Sequence, residues 1–300
     1  MTYDLICLGN LTIDDVILPD KTKKLGCFGG DTIYSLLGAA CWSDQLGFVA
    51  PVGIDFPQEN LSSLREHGWD GRGLPQRALP SIRNWVIYQN DNQRTWILES
   101  DPGDFYALSP TLDDIPADYL DARAFMLLAM DLAAQEALAP QLRKKGLVAL
   151  DPQEDYIAGN VERILALLQH VDIYLPSQEE VHRILGHQDY EKACRQFAGC
   201  GVGSVVVKMG SAGSLIYERA RDSFFHIPIY PSKVVDTTGA GDAYCGGFMA
   251  MYVKTGSLVD AGLAGAVSAS FAIEDFGLSH MFAIDRQQAQ TRFDLLKSRL

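Results

Sequence analysis

The chain has 300 residues, 47% of them hydrophobic, and a formal net charge of −13 from 25 Lys+Arg against 38 Asp+Glu. That length accommodates one large domain or two smaller ones with an ample core, and the acidic balance argues against a general binder of nucleic acid or of an anionic membrane. The six cysteines (7, 27, 41, 194, 200 and 245) form no C-x-x-C pair and have no histidines at zinc spacing, the start of the chain lacks a basic leader with a cleavage site, and no apolar run nears the ~18 residues of a membrane span, so a cytoplasmic protein with unpaired thiols is expected.

Apolar bursts of strand length at 5–8, 47–52, 124–129, 147–150, 173–175, 204–207 and 214–217 alternate with helical patterns at 32–43, 60–67, 132–145, 160–170, 177–185 and 191–198. This is the βαβ signature of a layered α/β fold. Ser177 ahead of Glu179 and Glu180 has the form of a helix N-cap with acids in the first turn. Two stretches break the alternation: about 11–28 and about 74–98 are β-rich with no helix between their strands. In the second, 89–93 is a polar turn between two strands, which predicts a hairpin. Its Trp85, Tyr88 and Trp96 need a partner surface, which is a substrate, the rest of the chain or a second subunit.

The string Val235-Asp236-Thr237-Thr238-Gly239-Ala240-Gly241-Asp242-Ala243 precedes an apolar, helix-compatible run to about Lys254. Three small residues allow a sharp turn whose N–H groups point outward at the first turn of a helix, where the dipole is positive and an anion is welcome. An aspartate fixed there can take the proton of a substrate hydroxyl. Near the start, Gly9-Asn10-Leu11-Thr12-Ile13-Asp14 follows the first strand, and a carboxylate there suits vicinal hydroxyls. Gly29-Gly30-Asp31-Thr32-Ile33-Tyr34 lets a ligand approach the backbone closely, with Asp31 as a second acceptor of hydroxyls. Asp151 closes a buried-type strand, at the end where open α/β sheets bind ligands. Lys208-Met209-Gly210-Ser211-Ala212-Gly213 turns between two strands; its lysine is read either as a phosphate contact or as a surface residue. There is no G-x-x-x-x-G-K-[ST], no G-x-G-x-x-G after the first strand and no H-E-x-x-H, which sets aside P-loop, dinucleotide and zinc-protease chemistry.

Together these strings resemble the signatures of the ribokinase family, the PfkB-type carbohydrate kinases, over nearly the whole chain. The resemblance implies a three-layer α/β/α domain with a mainly parallel central sheet (residues 1–10, 29–73 and 99–300) and a small β-sheet lid (11–28 and 74–98). It implies that Asp242 is the catalytic base and that the backbone of Gly239, Ala240 and Gly241 is the anion hole. Asp14, Gly29, Gly30, Asp31 and Tyr34 would bind the acceptor, and Ser177, Lys208, Gly210, Ser211, Gly213 and Thr237 the nucleotide. Glu180 would organise Mg²⁺ through water, Asp151 would lie close to the phosphates or metal, and Asp236 and Thr238 match positions that serve a monovalent cation such as K⁺. Two residues depart from the common pattern. Tyr34 stands where most sugar kinases carry asparagine, as in inositol-kinase-like branches, and Ser177 replaces the asparagine of an N-x-x-E motif.

The expected activity is therefore ATP-dependent phosphorylation of a hydroxyl on a small sugar or polyol, with no nucleic-acid or membrane partner and with a homodimer through the lid as one way to cover its strands. Within kinases the rival is a nucleoside kinase. From another class the rival is a catalytically silent sugar-binding sensor, against which the intact Gly239-Ala240-Gly241-Asp242 argues.

Overall fold

The computed structural model describes residues 2–89 and 94–300. In chain order the strands are β1 (Leu5–Leu8), β2 (Thr12–Ile17), β3 (Lys23–Gly29), β4 (Leu46–Val49), β5 (Val52–Gly53), β6 (Gln76–Arg77), β7 (Arg83–Tyr88), β8 (Arg94–Leu98), β9 (Ala124–Leu127), β10 (Leu147–Leu150), β11 (Ile173–Tyr174), β12 (Ser204–Lys208), β13 (Ser214–Glu218) and β14 (Ser223–Ile227). The helices are α1 (Asp31–Ala40), α2 (Gln58–Glu66), α3 (Pro102–Ala107), α4 (Leu132–Leu142), α5 (Val161–Leu167), α6 (Gln178–Leu185), α7 (Tyr190–Gly199), α8 (Ala240–Thr255), α9 (Leu258–Ala272), α10 (Ser279–Phe282) and α11 (Arg286–Lys297). Among the described residues no helix is long and apolar enough to cross a membrane.

Eight strands form the main sheet in the order β14-β13-β12-β11-β10-β9-β1-β4, parallel from β12 to β4 and antiparallel at the β12–β13–β14 end. Its strands are apolar on both faces because both faces are covered. Leu5 and Cys7 of β1 pack into a core with α1, α8, α9 and α11, while Ile6 and Leu8 face a second core with α4 to α7. The mainly parallel sheet between two helical layers, with a separate small sheet, is the expected architecture.

The small sheet runs β3-β2-β7-β8, with β2 and β7 parallel and both outer pairs antiparallel. The hairpin appears as β7–β8; its turn falls, from residue 90 to 93, outside the described residues. β6 is not part of this sheet: it pairs with β5 in a two-stranded unit. Pro51 divides the expected 47–52 strand into β4 and β5, since proline has no N–H to donate to a ladder.

Two helices cross at bare backbone. A Cβ added to Gly246 of α8 would stand 1.8 Å from the Ser35 carbonyl oxygen of α1, and one added to Gly38 of α1 would stand 2.2 Å from that of Ala243. This contact brings the Tyr34 ring against Gly239, immediately before α8, where a Cβ would lie 2.1 Å from the ring. Gly239 has φ 72°, a left-handed conformation that glycine adopts without strain.

Candidate active site

The residues singled out in the sequence fall into three groups around the C-terminal ends of the central strands, where open α/β sheets bind ligands. The first group joins the small sheet to α1. Asp14 on β2 is buried, and its Oδ1 accepts a hydrogen bond from Asn84 Nδ2 on β7 at 3.0 Å. Gly29 passes close to it, a Cβ there lying 2.0 Å from Asp14 Oδ2, and at Gly30, with φ 109°, a Cβ would lie 2.6 Å from the Asn10 carbonyl oxygen. Burial raises Asp14 to about 6, with Asn84 pulling the other way. Asp31, half-buried at the first turn of α1, is raised to about 6 by desolvation and then by the charges of Asp151 and Asp14. Burial, reinforced by the charges of Asp236 and Asp14, holds the Tyr34 phenol well above its ordinary value, so it stays neutral.

The second group is electrostatic. Asp151, at the end of β10, is buried, and Lys208 at the end of β12 donates to both its carboxylate oxygens, at 2.7 and 2.6 Å. The Cys245 thiol of α8 donates to Oδ2 at 3.2 Å. Burial alone would lower the Lys208 ammonium; the Asp151 carboxylate outweighs that and holds it well above its ordinary value. For Asp151, burial pushes the carboxyl up against the pull of Lys208. A Cβ on Gly241 would lie 3.5 Å from Lys208 Nζ, so a largely enclosed ammonium, its side chain 14% exposed, stands beside the first turn of α8. Lys208 is thus an interior cation rather than a surface lysine.

Glu180 closes this group. Ser177 N–H donates to its Oε2 at 2.6 Å, and its own N–H donates to Ser177 Oγ at 3.2 Å, a capping box that starts α6. The glutamate is buried, and desolvation followed by the charge of Asp151 raises it to about 8, against Lys208. Lys208 N–H donates to Pro176 O at 2.8 Å, which sets Ser177 beside the β12–β13 turn. In that turn Met209 N–H donates to Gly213 O, Gly210 and Ser211 face open space, and a Cβ on Gly213 would strike Ile227 O at 2.1 Å.

The third group is the loop into α8. Asp236 is buried, and its Oδ1 accepts from Thr238 N–H at 2.8 Å and from the phenol of Tyr88, on β7, at 2.5 Å. Tyr88 also meets the Thr238 hydroxyl. One phenolic proton cannot serve both oxygens, so with it given to Asp236 the Thr238 hydroxyl is the donor to Tyr88. Thr237 is exposed, with its carbonyl accepting from Ala240 N–H at 3.4 Å, and Asp242 is half-buried in the first turn of α8. Asn84 and Tyr88 lie in the stretch read from the sequence as a hairpin, but neither is among the site residues expected there. The demand of Tyr88 for a partner surface is the one signal that pointed towards this contact, and nothing in the sequence singled out Asn84.

Among the described residues no three metal-ligating side chains gather into a cage. Carboxylates spread around one lysine suit Mg²⁺ held mostly by water and phosphate oxygens, with Glu180 and Asp151 as outer partners. For a monovalent cation the fit is poorer, since it would have to share Asp236 with two hydrogen bonds.

The chain is 31% identical over 254 residues to a cytidine kinase of Thermococcus kodakarensis, covering 84% of this chain and 89% of that protein. In fold it is similar to the nucleoside kinase of Methanocaldococcus jannaschii, with a TM-score of 0.79, 21% identity and coverage of 98% of this chain and 99% of that one. It is equally similar in fold to a putative ribokinase II from E. coli in complex with ATP and Mg²⁺, at a TM-score of 0.79, 20% identity and coverage of 98% and 100%. The profile of the pfkB family carbohydrate kinases matches residues 7–284, and the chain belongs to that family.

Proposed function

We propose that the protein is an ATP-dependent kinase that phosphorylates a hydroxyl group of a small ring-bearing polyhydroxy compound, a sugar or polyol. The observation that carries this reading is the placement of Asp242 on the first turn of α8, three residues after the left-handed Gly239 and next to Gly241, where a Cβ would lie 3.5 Å from Lys208 Nζ. Asp14 and Asp31 offer acceptors for acceptor hydroxyls, and the Tyr34 ring packs over the turn. Asp242 would accept the proton of the attacking hydroxyl as its oxygen bonds the γ-phosphorus and the bond to the leaving ADP breaks. The amides of Gly239–Gly241, the α8 dipole and Lys208 would stabilise charge on the transferred group. When bound, Mg²⁺ would neutralise the polyphosphate, with Glu180 and Asp151 orienting its water shell. Ser177, Thr237 and the Gly210–Gly213 turn would border the nucleotide.

Residues 11–28 together with β7 and β8, from the 74–98 stretch, would act as a lid over a body of 1–10, 29–73 and 99–300, excluding water during transfer, while β6 stays with β5 on the body. The exposed Trp96, Ile97 and Leu98 on edge strand β8 support a homodimer through that sheet. Free cysteines throughout the described residues support a reducing compartment such as the cytoplasm.

A second reading, a nucleoside acceptor, is favoured by the cytidine kinase relative. Coupled ADP release with ribose, deoxyribose, inositols, cytidine and purine nucleosides tests both. Turnover of free sugars or inositols above nucleosides supports the first reading, and the reverse order supports the second. Binding of a sugar, followed by calorimetry, with no turnover of any compound would leave the silent sugar-binding sensor.

A further inference from the structure

Strand β7 touches both ends of the proposed reaction centre. Its residues alternate, with Asn84, Val86 and Tyr88 on the face turned towards the body and Arg83, Trp85 and Ile87 on the other. Asn84 donates to Asp14 Oδ1 at 3.0 Å inside a buried environment, while Oδ2 lies over Gly29. Four residues further on, about 13 Å along an extended strand, Tyr88 donates to Asp236 Oδ1 and receives the Thr238 hydroxyl. Thr238 directly precedes Gly239, whose left-handed turn sets the direction of the next amides. Val86, buried between the two against Val16 of β2, fixes the strand at its middle.

We propose that Asn84 and Tyr88 are positioning residues with divided tasks: Asn84 orients Asp14 for the acceptor, and Tyr88 ties the same strand to the Asp236–Thr238 segment so that the amide turn and Asp242 are aligned only when the small sheet lies on the body. This rests on the kinase reading given above. A carboxylate oxygen bound by one amide donor keeps one orientation, so Asn84 acts on how well the acceptor is held. Tyr88 bonds a segment that carries no acceptor-binding residue, so its effect falls on transfer rather than on binding. A lid that closes without that bond would cover the site while the turn is free to shift, and water could then take the place of the acceptor hydroxyl.

The test uses the full chain with the best acceptor from the screen, measuring ADP and phosphorylated acceptor in parallel. Tyr88→Phe keeps the ring and removes only the hydroxyl. It should lower kcat by about tenfold, the usual worth of a hydrogen bond to a charged group, leave the acceptor KM within about twofold, and raise ADP formed per acceptor phosphorylated above wild type. Asn84→Ala should raise the acceptor KM by about tenfold while kcat holds. Tyr88→Phe with unchanged kcat and an unchanged product-to-ADP ratio would overturn the proposal, as would a pure KM effect from it. If Asn84→Ala does not fold, Tyr88→Phe alone decides. Wild type inactive towards every acceptor would instead overturn the kinase reading.

Discussion

Replacing Lys208 by methionine removes the cation from a pair in which neither side chain is exposed by more than 14%. The remaining carboxylate, Asp151, then stays buried with only the Cys245 thiol as a donor. Breaking a buried ion pair from one side costs ~3–5 kcal/mol, because the surviving charge has lost its compensation. With an unfolding entropy of ~2.1 cal/mol/K per residue, 300 residues give ~0.6 kcal/mol/K, so the melting temperature should fall by ~5–8 °C. The loss should depend on pH with a defined sign. Burial raises Asp151, and in the variant no ammonium opposes it, so the folded state binds a proton more tightly than the unfolded state. Stability of the variant relative to wild type is then best at acid pH and worsens as pH rises through the carboxylate range. Asp151→Asn combined with Lys208→Met removes both charges and should recover much of the loss at pH 8. Thermal unfolding by circular dichroism at pH 5 and pH 8 reads all three proteins. A single variant as stable as wild type at pH 8, or a double variant no better than the single, would refute the account of this pair as mutually compensating.

Asp242→Asn should leave melting temperature and nucleotide binding near wild type while slowing turnover by roughly 10²–10⁴-fold; coupled ADP release checks it, and near-normal kcat would remove Asp242 from the proton transfer. Because Asp14 and Asp31 are both raised to about 6, acceptor KM should climb as pH falls through 6. Their linkage to folding runs the other way: the folded state holds these protons more tightly, so their contribution to stability shrinks as pH rises from about 4 to 6. A KM flat between pH 5 and 8 would separate these carboxylates from the acceptor. Glu180→Gln retains an acceptor for the Ser177 N–H and so the capping box, but should raise the Mg²⁺ concentration for half-maximal rate; an unmoved Mg²⁺ titration would confine Glu180 to capping α6.

The parts of the site legible in the sequence are those whose chemistry needs neighbouring residues. The 236–243 string carries its turn, amides and carboxylate in one stretch, and α8 begins at Ala240 as its composition suggests. Strands β1, β9, β10, β12 and β13 were legible because burial on both faces demands unbroken apolar runs. Helices α9 and α11 and strand β14 were not picked out. α9 is buried nearly all round, so it lacks the one-sided stripe that marks a surface helix, and β14 has only its last residue buried. The partner of Lys208 is 57 residues away, and Tyr88 lies 148 residues from Asp236. Spacing along the chain is silent about such pairs; only the topology of the two sheets brings them together.

The α1–α8 crossing bears on how the acceptor preference of such a protein can drift. Gly38 and Gly246 leave no room for even a methyl group, so the interval between the helices cannot be tuned in small substitutional steps. Any larger residue would have to prise backbone from backbone, a change with no gentle intermediate. In the acceptor reading proposed above, Tyr34 sits on that rigid frame and Asn84 holds Asp14 from β7, and each of these two can be exchanged on its own. On that proposal acceptor choice would be an adjustable feature mounted on a spacing that is all-or-nothing, and natural or laboratory divergence should accumulate at these two side chains while the two glycines stay as they are.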